Sequence, residues 1–143
     1  MWVLTATKAD RCGESMRSPV LLAVLTPLLF AGCTDDPGAE EAIAATITFV
    51  GANPEQQCEL LAPSTRAQVA DDPTVCPEAL ARLSLPRGTD VRSVVVAGTS
   101  AQVVLGDDVI FLARFTDGWR VRAAGCSRAD PDPAVPYDCE VRP

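Results

Sequence analysis

The chain has 143 residues, enough for one small domain besides any leader. It carries 19 acidic against 12 basic side chains, and the resulting formal charge of −7 opposes general binding to nucleic acid or anionic lipid. Histidine is absent, which removes the commonest general base, Ser-His-Asp and Cys-His constellations and His-ligated zinc. There is also no P-loop and no Gly-rich dinucleotide loop, and no cofactor is expected.

Arg17 precedes an apolar run from Val20 to Phe30. Its length suits the apolar region of an export signal and falls short of the roughly 20 apolar residues of a spanning helix. Pro27 inside the run also opposes a membrane helix. Residues 1–15 are mixed in character and contain Cys12, so Met16-Arg17-Ser18 is the alternative, more compact start. The run ends in Leu29-Phe30-Ala31-Gly32-Cys33, which resembles a bacterial lipobox, although Phe30 stands where Leu is usual. The resemblance implies that Cys33 takes a diacylglyceryl thioether and becomes the mature N-terminus. It also implies a location outside the cytoplasm, anchored to the cell membrane. Residues 1–32 are then a signal peptide, 33–37 the lipidated cysteine and a short polar linker, and 38–143 the domain. Past Cys33 the chain has no Lys, and its Ala, Val, Arg and Asp richness fits a high-GC genome.

The first half reads as helical. Asp36-Pro37 suits an N-cap followed by Pro at the first helical position, with Ile43, Ile47 and Val50 on one face. Asn53-Pro54-Glu55-Gln56 is a capping box that opens a helix carrying Cys58, Leu60 and Leu61 up to Pro63. Ser64 to Val69 reads as another short helical turn. Cys76-Pro77-Glu78 opens a further helix with Leu80 and Leu83 on its apolar side, ended by Leu85-Pro86-Arg87-Gly88.

Cys58, Cys76, Cys126 and Cys139 form an even set in an exported chain and read as two disulfides. Three pairings are possible. The simplest joins sequence neighbours, Cys58–Cys76 and Cys126–Cys139. Each loop is then on the order of 15 residues, worth about 3 kcal/mol in the chain-entropy picture.

The second half switches to period two, with strands at Val91–Ala97, Ser100–Leu105, Val109–Phe115 and Trp119–Gly125. A two-residue Gly98-Thr99 loop sets Val96 opposite Ala101. A three-residue Gly106-Asp107-Asp108 loop sets Leu105 opposite Val109 and Val103 opposite Phe111. A three-residue Thr116-Asp117-Gly118 loop sets Phe115 opposite Trp119, whereas an Asp117-Gly118 loop pairs Phe115 with Arg120 and scrambles the faces. One face then holds Val94, Val96, Ala101, Val103, Leu105, Val109, Phe111, Ala113, Phe115, Trp119, Val121 and Ala123. The other is mixed: Ser93, Val95, Gln102, Val104, Ile110, Leu112, Arg114, Arg120 and Arg122. The expected fold is α+β, with N-terminal helices packed on one face of a four-stranded antiparallel meander.

Helices followed by such a meander resemble the NTF2-like (cystatin-like α+β) superfamily. The Asp108–Phe115 strand, the Asp117-Gly118-Trp119-Arg120-Val121 hairpin and the Cys126 and Cys139 segments resemble small actinobacterial lipoproteins. NTF2-like enzymes place Asp, His or Tyr between helices and sheet, and the helix-facing positions assigned above offer none. Asp107, Asp108 and Asp117 fall in turns, where Asp is ordinary. Trp119 reads as core, and Tyr137 as packing or interface.

The resemblance implies an envelope lipoprotein without enzymatic activity, a binding or scaffolding module for a protein partner or small apolar ligand. The alternatives are an NTF2-like isomerase or dehydratase and an accessory subunit of a membrane complex. The expected interface, for a partner or a second copy, is the apolar-plus-Arg patch of Val95, Val104, Ile110, Leu112, Arg114, Arg120 and Arg122. The competing reading has the C-terminal tail fold back over that face through Cys126–Cys139.

Overall fold

Among the described residues, proline stands first or second in every helical segment, because its fixed φ suits a first helical turn whose N–H groups lack partners. The structure is a computed structural model that describes residues 36–130, 132 and 134–143; residues 1–35, including Cys33 and the signal segment, lie outside the described residues. Its order is α1 (Pro37–Gly51), α2 (Pro54–Leu60), α3 (Pro63–Val69), a 3-10 turn (Pro73–Val75), α4 (Cys76–Ala81) and five strands. The strands are β1 (Val91–Ala97), β2 (Ser100–Leu105), β3 (Asp108–Phe115), β4 (Gly118–Ser127) and β5 (Asp138–Val141). They form one antiparallel sheet in sequence order.

The helix starts follow the sequence closely. The Asp36 carboxylate accepts from the Gly38 N–H. Asn53 and Gln56 complete a capping box at α2. The buried stripe of α1 differs from the expected one: it is Gly38, Ala42, Thr46, Phe49 and Val50, while Ile47 is exposed. Small residues at Gly38 and Ala42 let the helix approach the sheet. Thr46 can then be buried because its hydroxyl donates to the Ala42 carbonyl at 2.8 Å. Gln57 similarly donates to the Phe49 carbonyl at 3.0 Å, which also accepts from the Ala52 N–H at the end of α1.

The first hairpin has the expected register, with Val96 opposite Ala101 and Val94 opposite Val103. The next two differ. Gly106-Asp107 is a two-residue loop, with Gly106 at φ +56° in its first position and Asp108 already paired with Leu105. Thr116-Asp117 is likewise the loop between β3 and β4, and Phe115 pairs with Gly118. Asp108 and Gly118, both poor strand formers, are instead the first paired residues of β3 and β4. Each shift is one residue, and a one-residue slip turns a strand over. The two cancel for β4, so Trp119 and Val121 face the helices as expected, and only β3 is inverted.

Ile110 and Leu112 are therefore core residues, 0% and 1% exposed, packed with Phe49, Leu80, Val103 and Val121. Burying each such aliphatic side chain stabilises the fold by roughly 1.5–3 kcal/mol. Val109, Phe111, Ala113 and Phe115, expected inside, lie on the opposite face of the sheet, and Phe115 is exposed. Ala123 joins them because the β3–β4 register shifts between Val121 and Ala123. A second irregularity falls at Gly125, whose φ is +62° and where a Cβ would come within 2.9 Å of Glu140.

The fifth strand was not expected. Cys139 pairs directly with Cys126 across β4–β5 and is disulfide-bonded to it, which holds the short Asp138–Val141 segment on the sheet edge. The other disulfide is Cys58–Cys76, linking α2 to the start of α4. The tail covers part of the outer face: Tyr137 meets Phe111 edge-on at 5.1 Å between centroids, above Val109, Ala123 and Val104.

Leu112→Asp is expected to lower stability by roughly 3–5 kcal/mol in urea unfolding, and Val95→Asp by less than about 1 kcal/mol. Equal effects would contradict the β3 register. Peptide mapping without reductant should recover Cys58–Cys76 and Cys126–Cys139. Replacing either pair by Ala should cost about 2–5 kcal/mol.

Candidate functional site

The joint between α2 and α3 is stitched to the free N-terminal half of β4. Leu61 bridges to Val121, and the Ala62 N–H donates to the Val121 carbonyl at 2.7 Å. Thr65, fully buried, donates its hydroxyl to the Arg122 carbonyl at 2.8 Å. This docking brings the charged side chains of two helices against the β3–β4 turn. Glu59 at the end of α2 and Arg66 on α3 form an ion pair at 2.8 Å. Arg120 on β4 donates to the Glu59 carbonyl and to the Asp117 carboxylate.

Between α3, the segment after it and the β3–β4 turn lies a groove of about 550 Å³. Leu61, Ala67, Ala70 and Pro73 give it an apolar lining, and Phe115 stands at the side, 41% exposed. Its guanidinium groups are both engaged by carboxylates. The Arg66 Nε is buried without a hydrogen-bond partner. The bond from Arg120 holds the Asp117 carboxyl below its ordinary value of 3.8, with the side chain still open to solvent. Chemically, the groove offers apolar contact beside two paired arginines, with Asp71 as a further carboxylate. Among the described residues, no three His, Cys, Asp or Glu side chains come together as a metal site.

The expected interface patch is not assembled. Ile110 and Leu112 are in the core, on the helix side of β3. Arg114 lies on that side too, paired with Glu41 of α1 at 2.9 Å and 5.6 Å from the Trp119 ring centroid. Arg120 is in the groove. Val95, Val104 and Arg122 remain, and they are separated: Val95 is 62% exposed on the edge strand, while Val104 packs in the cluster with Tyr137. The physical cause is the inversion of β3, which removes the centre of the patch. Trp119 is buried, and its Nε1 has no hydrogen-bond partner. Tyr137 is held by packing, by a bond from Gln102 at 3.3 Å and by the Arg128 guanidinium 4.3 Å from its ring centroid.

Glu59, Arg66, Phe115 and Asp117 were not foreseen as one locus. The only local signal is the Asp117/Arg120 spacing across a turn; the Glu59–Arg66 pair depends on the break between α2 and α3. Comparison of the chain with protein-family models, with curated proteins and with solved structures finds no match.

Asp117 gives a pH test with a definite sign. A carboxyl held below its ordinary value binds fewer protons folded than unfolded, so it stabilises above that value. This contribution is lost as pH falls below 3.8 through the folded value. Asp117→Asn should therefore be less stable than the parent at neutral pH, and the gap should close on acidification. A gap independent of pH would show that the Asp117–Arg120 bond does not contribute.

Proposed function

We propose that the chain is a lipid-anchored lipoprotein of the bacterial cell envelope. Its NTF2-like domain binds a protein partner or a small apolar ligand at its surface and carries out no chemistry. Helices on one side of an antiparallel meander support the NTF2-like reading. The observation that carries the functional reading is the filled space between helices and sheet. Phe49, Leu80, Val103, Ile110, Leu112 and Val121 pack there, each nearly or fully buried. The buried polar side chains among the described residues are Thr46, Gln57 and Thr65, and each donates to a backbone carbonyl. An isomerase or dehydratase of this superfamily needs a carboxylate or similar group in that interior, and a hollow to hold substrate.

The groove beside α3 is the surface this reading assigns to the ligand. It combines apolar lining with two guanidinium groups that are each already paired, so desolvating them leaves neither cation unpaired; Asp71, at the groove, forms no ion pair among the described residues.

Cys33→Ser should abolish incorporation of a palmitate analogue and release the protein from membranes, since one diacylglyceryl unit supplies the two chains that stable anchoring requires. Unchanged labelling would overturn the anchor. A photo-crosslinking side chain at Ala67, in the groove, should give a discrete adduct in cells that the same group at Asp107 does not. Identical results at both positions would overturn the groove as the binding surface.

A further inference from the structure

The first turn of α1 is fixed at one end of the sheet. A Cβ added to Gly38 would lie 3.6 Å from Val96 Cγ1 and 3.7 Å from Arg114 Nη1, so the helix start packs against both. The Arg114 N–H donates to the Thr99 carbonyl at 2.8 Å, and Glu41 pairs with Arg114. The Gly98-Thr99 and Thr116-Asp117 turns both lie at this end, because β1 and β3 both run toward it. Gly106-Asp107 reverses the chain at the opposite end, where Gly106 bonds to Asp90. The six residues of β2 separate the two ends by roughly 20 Å.

Three peptide bonds lead from Cys33 to Asp36, the cap of α1. Even fully extended, that length of chain spans at most about 11 Å. We propose that this end of the domain is apposed to the bilayer, with Phe115 at the lipid interface. The inference rests on reading Cys33 as the lipid-bearing residue. A tether this short keeps the start of α1 at the membrane surface, and the two turns come with it. Phe115 is 41% exposed here, between Arg114 and Arg120. An aromatic ring with arginine stems on either side suits the boundary between headgroups and acyl chains. The nearby carboxylates of Glu41 and Asp117 are paired with these two arginines, and Asp36 and Glu40 in the first turn of α1 leave this end net acidic, which suits a zwitterionic rather than an anionic surface. Because the groove shares Phe115 and Asp117 with this end, part of its lining borders the bilayer.

The test uses the protein purified from membranes and reconstituted into phosphatidylcholine vesicles with brominated acyl chains. Phe115→Trp should add emission that bromine largely abolishes, and Asp107→Trp should add emission that bromine leaves intact. Thr116→Trp, on the same exposed turn, should behave like Phe115→Trp and guards against a local effect of that change. Equal quenching at both ends, or none at either, would overturn the apposition while leaving the anchor in place. A blue shift at Phe115→Trp without bromine quenching would assign the locus to a second copy of the chain and also overturn it. Protein recovered without lipid on Cys33 would overturn the anchor and this inference together.

Discussion

The register of β3 decides what every other element packs against. This strand lies at the middle of the sheet, and its two faces serve different layers. Ile110 and Leu112 point toward α1 and α4 and complete the main core. Val109 and Phe111 point the other way and form the floor of the second cluster beneath Tyr137. The tight Gly106-Asp107 loop sets this division. One more residue in that loop would bring Val109 and Phe111 inward and expose the two large aliphatic side chains that the helices now cover.

The two disulfides act on elements that could not hold themselves in place. Helices of six and seven residues, such as α4 and α2, are too short to be stable alone, and Cys58–Cys76 ties them together inside the core. β5 is only four residues long and follows a Pro-rich stretch. Its cross-strand bond to Cys126 sets its position, and that position brings Tyr137 over Phe111. In a domain of this size, covalent links of this kind supplement a modest core.

With the interior occupied, the surface features gather around the β3–β4 turn. Arg114 and Arg120 leave opposite faces of neighbouring strands, yet each finds a carboxylate close by, Glu41 from α1 and Asp117 from the turn itself. Exposed pairs of this kind add little stability, commonly under about 1 kcal/mol. Their effect is to leave neither Arg114 nor Arg120 as an unpaired cation beside the groove and the adjoining end of the sheet. Apolar contact can then dominate recognition there, which fits a binding module better than a site built for acid–base chemistry.

Much of this architecture was legible locally. Asp36-Pro37 and Asn53-Pro54-Glu55-Gln56 announce helix starts because capping needs only neighbouring atoms. Gly98-Thr99 announces its hairpin for the same reason, and Trp119 and Val121 announce the buried face of β4. The stripe of α1 was not legible, because Ala42 and Thr46 are buried by how closely the helix meets the sheet, whereas Ile47 is more apolar and stays outside. β3 was not legible either: alternating apolar residues on both of its faces make the two registers look alike, and only the packed helices and the tail distinguish them. The groove joins Glu59, Arg66 and Arg120 through the docking of Leu61 and Ala62 on β4, a contact between residues about 60 positions apart. By itself, the sequence determined where helices begin, how many strands the second half alternates through before Cys126, and which chemistries lack their residues. Tertiary structure alone decided which side of β3 is inside, because that choice is made by what covers each face.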